Sequence, residues 1–100
     1  MRTYDLSNLI PTPGVADQNL TVSDTALQLA ALNDNTKHVL VTVATQPIRV
    51  TFDDSAPTTT NGHYWAAGQE RVLKREAAVA MKVIRATGSD GELHASEMTY

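Results

Sequence analysis

Cysteine is absent from this chain of 100 residues, which excludes disulfides, thiolate zinc sites and a cysteine nucleophile. Packing, hydrogen bonds or assembly must stabilise it instead. No long run of Lys or Arg occurs, and eleven acids against eight bases leave a formal net charge of −3. A surface that tracks phosphates is not expected, so nucleic acid is not an expected partner. No segment approaches the roughly 18 consecutive apolar residues of a membrane span, and no membrane partner is expected. The opening "MRTYDLSNLIPTPGVADQNL" lacks the basic start and apolar stretch of a signal peptide, so a protein made and kept in the cytoplasm, or in whatever assembles there, is the expectation. Charged residues make up 19% and hydrophobic ones 42%, a composition that folds. A chain of this length buries only roughly 60 to 65% of its unfolded surface, so contact with neighbours would add needed stability.

The strongest pattern is "HVLVTVATQPIRVTFDD", residues 38 to 54. Val39, Val41 and Val43 share one face and Leu40 lies on the other; beyond Pro47, Ile48, Val50 and Phe52 form a second apolar face. Alternation of β-branched residues predicts two strands, or one broken at a bulge. Pro47 has no amide donor and belongs at a strand start, a bulge or an edge. Leu20 with Val22, and Leu27 with Leu29, predict two further short strands around Ser23-Asp24-Thr25; a helix capped by Ser23 or Asp24 is the alternative. "NDNTK", residues 33 to 37, reads as a turn.

Residues 66 to 100 are less plain, because Ala, Glu, Lys, Arg and Met favour helix. Val72, Leu73, Ala77, Ala80 and Ile84 fit a helical face, whereas Val79, Met81 and Val83 alternate. The expectation is strands, with a short helix within residues 69 to 80 as the alternative. A hairpin across Gly88-Ser89-Asp90-Gly91 would pair "MKVIRAT" with "ELHASEM". Pro11, Pro13 and Gly14 predict an extended N-terminal arm over residues 1 to 17, with a loosely ordered terminus as the alternative. The predicted architecture is therefore all-β: a small antiparallel β-sandwich or barrel over residues 18 to 100, preceded by an extended arm over residues 1 to 17.

Motifs that carry chemistry are sparse. His38, His63 and His94 lie in separate segments without metal-ligand spacing. Asp53-Asp54-Ser55 lacks the repeated ligands of a calcium loop and reads as a solvated turn. "TGSDGEL" has the wrong spacing for a nucleophile elbow, and the five glycines, at 14, 62, 68, 88 and 91, form no phosphate cradle. Carboxylate pairs such as Glu92 and Glu97 exist without any sign of two groups tuned apart. No catalytic residue, cofactor or metal is expected. His63-Tyr64-Trp65 is the one aromatic cluster, and it suits core packing, a subunit interface or a sugar face.

The stretches "VTVATQPIRVTFDDSAPTTTNGHYWAAGQERVL" and "IRATGSDGELHASEMTY" resemble small virion structural proteins of tailed bacteriophages, of the capsid decoration (cement) or head-completion type. The resemblance covers about residues 38 to 100 and lies in hydrophobic and turn positions rather than in a catalytic signature. It implies a non-enzymatic β-domain, assembled in the host cytoplasm and residing in the virion, that binds a major capsid or head-neck protein. A repeated lattice lets weak contacts add, and a dimer or trimer would relieve the small core. Interface candidates are His63, Tyr64, Trp65, Pro11 and Pro13, the prolines through an arm that adds a strand to a neighbour. A carbohydrate- or receptor-binding β-module is the alternative; it requires Tyr64 and Trp65 both exposed.

Overall fold

The computed structural model describes residues 9–100. Among these residues seven strands form two antiparallel sheets. The first sheet holds β1 (Gln18–Val22), β2 (His38–Ala44), β5 (Glu70–Lys74) and β7 (Gly91–Met98) in the order β1-β7-β2-β5. The second holds β3 (Ile48–Thr51), β4 (His63–Trp65) and β6 (Lys82–Arg85) in the order β4-β3-β6. One short helix, α1 (Arg75–Ala80), lies between β5 and β6.

Alternation decides which residues meet. Val39, Val41 and Val43 of β2 are buried while Leu40 and Thr42 are half-exposed, as expected of a strand with one face on a core. The same period turns Leu93 and Ala95 of β7, Ile48 and Val50 of β3, and Val83 of β6 into one apolar cluster with Val22, Trp65, Ala78 and Met81. Both sheets feed this cluster, so the molecule is a β-sandwich. Pro47 immediately precedes β3, where its missing donor breaks no ladder bond.

Three local expectations are corrected. Leu27 and Leu29 form no second strand: only Leu27 bridges, exchanging backbone hydrogen bonds of 2.9 Å with Val83 on the free side of β6. Gln18 grips both backbone groups of Ala30 from the first sheet. Residues 23 to 32 thereby cross from one sheet to the other and cover the opening between β1 and β6. The "MKVIRAT"–"ELHASEM" hairpin does not form either, because β6 pairs with β3 and β7 pairs with β1 and β2. The Gly88–Gly91 turn is a crossover between sheets. Finally, the chain after β5 turns into α1, and the alternation of Val79 with Met81 and Val83 is misleading: Met81 and Val83 are buried, whereas Val79 is 56% exposed.

The N-terminal segment is tied to its own domain from Ile10 onward. Thr12 N–H donates to Glu97 O at 2.9 Å and Thr99 N–H to Ile10 O at 2.8 Å, which extends the β7 edge beyond β1. Thr36 Oγ1 donates to the buried Glu97 carboxylate at 2.8 Å, and Asn33 N–H donates to the same oxygen at 2.7 Å. Thr12 Oγ1 lies 3.2 Å from Thr36 Oγ1. The part of the expected arm over residues 1 to 8 lies outside the described residues.

Candidate functional site

The lateral opening between β4 and β5 is the one that residues 23 to 32 do not cover. β3 carries β4 in register, with Ile48 opposite Trp65, Arg49 opposite Tyr64 and Val50 opposite His63. Strand alternation therefore sends Trp65 and His63 to the inner face and Tyr64 outward. Trp65 is 5% exposed and belongs to the core, whereas Tyr64, at 52%, and His63 are exposed. The arrangement that a sugar-stacking pair requires, with both rings exposed, is absent.

Around Trp65 the inner wall is aromatic and cationic. Phe52 lies 6.2 Å from the Trp65 ring and 6.0 Å from that of His63, tilted by 50° and 47°. Arg71 of β5 places its guanidinium carbon 5.1 Å from the Trp65 ring centre, within cation–π range. Its Nε is buried without an acceptor among the described residues. The ion pairs among the described residues join Lys82 to Asp54, Arg85 to Asp90 and His94 to Asp17, and none of them neutralises Arg71. Phe52, His63, Trp65, Arg71, Val72 and Leu73 line a groove of about 350 Å³. Phe52 and His63 also border a second groove of about 510 Å³ that runs along Val50 to Asp53 and Asn61 to Gly62.

On the outer side, Arg49 covers the Tyr64 ring at 5.1 Å. It also donates from Nε to Thr59 O at 3.3 Å and from Nη1 to Gly62 O at 3.2 Å, which anchors the Thr-rich loop beside the aromatic cluster. Gly62 has φ +125° and a Cβ there would sit 3.1 Å from Val50 O, so glycine lets the loop pass close over β3. At the loop's other end, Asp53 accepts from Ser55 N–H and Oγ. The Ser55 side-chain bond holds the Asp53 carboxyl below its usual range, the behaviour of a closed turn.

Pro11 and Pro13 are not part of this site. Pro11 bridges to Met98 on the β1 side of β7, and the order β1-β7-β2-β5 sets that edge opposite β5. The sequence-level candidates thus fall into two groups, His63 to Trp65 at one edge and the prolines at the other. Sequence reasoning missed Arg49, Phe52 and Arg71; the period-2 reading of "ERVLK" was the available signal for Arg71, which it puts on the same face as Leu73.

Outside the opening, His94 on β7 lies between Asp17 and Asn19. Hydrogen bonds from His94, and then from Ser96, hold the Asp17 carboxyl below its usual range. Among the described residues no group of three or more His, Cys, Asp or Glu side chains is placed to hold a metal ion, and no helix is long and apolar enough to cross a membrane. Compared with protein-family models, curated proteins and solved structures, the chain finds no match in any of the three. What the β4–β5 opening offers chemically is recognition: aromatic faces, the Arg71 guanidinium with no carboxylate partner among the described residues and a sheet edge.

Proposed function

We propose that this chain is a non-enzymatic docking module of a tailed-phage virion, a capsid decoration or head-completion protein that seats its β4–β5 opening on a head or neck protein. The observation that carries the docking half of this reading is the unequal treatment of the sandwich's two openings. One is covered by the chain itself, while the other keeps Tyr64 exposed and the Arg71 cation without a carboxylate among the described residues. Aromatic residues and Arg are the side chains that dominate protein interfaces. The virion half rests on the resemblance of residues 38 to 100 to small virion proteins. Assembly as a dimer or trimer belongs to the same proposal, since repetition multiplies weak contacts.

Co-sedimentation of the purified protein with heads or virions of its source tests this reading. Saturable binding at a fixed copy number per particle is expected, weakened in a Tyr64→Ala, Arg71→Gln double variant. Folded protein that binds no particle would overturn it.

A further inference from the structure

We propose that the β4–β5 opening accepts an extended, acidic segment of a partner protein, which adds to β5 as a further strand and places a carboxylate on Arg71. This inference deepens the docking reading above and names the chemistry of the partner.

Three observations converge on it. The first is an open backbone edge. Among the described residues β5 pairs with β2 alone, with Val41 opposite Arg71 and Val39 opposite Leu73. Val43 N–H donates to Gln69 O and Arg75 N–H donates to Lys37 O, each at 2.9 Å, which fixes the parity of the ladder: Gln69 through its carbonyl, Arg71 and Leu73 through both backbone groups and Arg75 through its N–H face β2. The N–H and C=O groups of Glu70 and Val72, and the N–H of Lys74, point the other way, where an added strand would meet them. α1 begins at Arg75 and ends the edge, so the docking stretch is short.

The second observation is side-chain placement. Arg71 and Leu73, two residues apart on the inward face, line the groove with Phe52, His63 and Trp65. A strand laid along β5 has the same period of two, so alternate side chains enter between the sheets while the others stay outside. The occupant is thus read as an acidic residue beside Arg71 and an apolar residue two positions away beside Leu73.

Charge complementarity is the third. Arg71 Nε is buried and has no partner among the described residues, and leaving a charged donor so is unfavourable unless an acceptor arrives. A carboxylate supplies two acceptor oxygens matched to the guanidinium fork. A cationic or purely apolar segment would leave this group as it is.

Selection of a displayed library of short random peptides against the immobilised full chain, followed by titration of selected synthetic peptides, tests the proposal. The expected result is enrichment of an acidic residue two positions from an apolar one, with saturable change in the fluorescence of Trp65 and amide shifts at Glu70, Val72 and Lys74. Replacing the peptide's acid by its amide, or Arg71→Gln, should weaken binding at least about tenfold. Val72→Pro serves as the second variant: it removes an outward N–H that β2 does not use, and should abolish binding with circular dichroism unchanged. Failure to select any peptide, or selection of peptides indifferent to both Arg71→Gln and Val72→Pro, would overturn the proposal. Self-association lost in Val72→Pro, with no peptide selected, would overturn the assignment to a partner in favour of a second copy. Particle co-sedimentation separates the two readings: full particle binding by Val72→Pro leaves the docking role standing without strand addition, and selected peptides without particle binding do the reverse.

Discussion

Tyr64 and Trp65 are neighbours in the chain with opposite environments, because successive strand residues point to opposite faces. Trp65 fills the core against Phe52 and under Arg71, so Trp65→Ala should destabilise the fold by about 3–5 kcal/mol. Tyr64 keeps half its surface and one exposed cation–π contact with Arg49, and Tyr64→Ala should cost no more than about 1 kcal/mol. Urea denaturation of the two variants measures both, and equal losses would contradict the assignment of faces. Asp17 gives a second residue-scale expectation. Its folded-state pKa is depressed from 3.8, so it contributes stability above the unfolded value, and that contribution disappears as pH falls through the lower folded value. The melting temperatures of wild type and Asp17→Asn should differ at neutral pH and converge in acid below about pH 4. Both partners are about half exposed, so the gap is small and shrinks in salt.

At the scale of elements, the strands with clean alternation were readable in advance, and the places where the chain changes sheet were not. β2, β3 and the Leu20–Val22 segment follow from period-2 patterning with β-branched residues. The helix within "REAAVA" competed with an alternating pattern, and the chain resolved the contest by its need to pass from β5 in one sheet to β6 in the other. The failed hairpin has the same origin: turn chemistry at Gly88–Gly91 is satisfied equally by a crossover. Gly91 itself is set by packing, since a Cβ there would lie 2.7 Å from Gln46 O and 3.3 Å from Ile48 Cγ2. Gly91→Ala must therefore push β7 away from the start of β3, with an expected loss of about 1–3 kcal/mol in thermal or urea unfolding. The N-terminal segment yields a further expectation. A chain beginning at Leu9 keeps every contact described here, whereas one beginning at Gln18 loses the Ile10 and Thr12 bonds to β7, the Thr12–Thr36 contact and the Asp17–His94 pair. At about 1 kcal/mol for each hydrogen bond, the shorter chain should be less stable by roughly 2–4 kcal/mol, and a comparison of urea midpoints decides it.

For the whole molecule, a single apolar cluster receives side chains from both sheets and from α1, so the sheets should unfold together. Loss of Trp65 fluorescence and of far-ultraviolet circular dichroism are expected to superimpose on one urea transition; separate transitions would mean that the sheets are independently stable. The two openings of the sandwich distinguish its sides, and this asymmetry underlies the docking role and the strand-accepting groove proposed above. Sequence alone determined the all-β class, the inward faces of β2 and β3, the prominence of residues 63 to 65 and the solvated character of the Asp53 turn, because periodicity and turn chemistry are local properties. Only the tertiary structure decided that Trp65 is core, that Pro11 lies at the edge opposite the aromatic cluster, and that Arg71 from β5 meets Phe52 and Trp65 from the other sheet. These depend on strand order, and strand order is set by which faces bury each other across the chain.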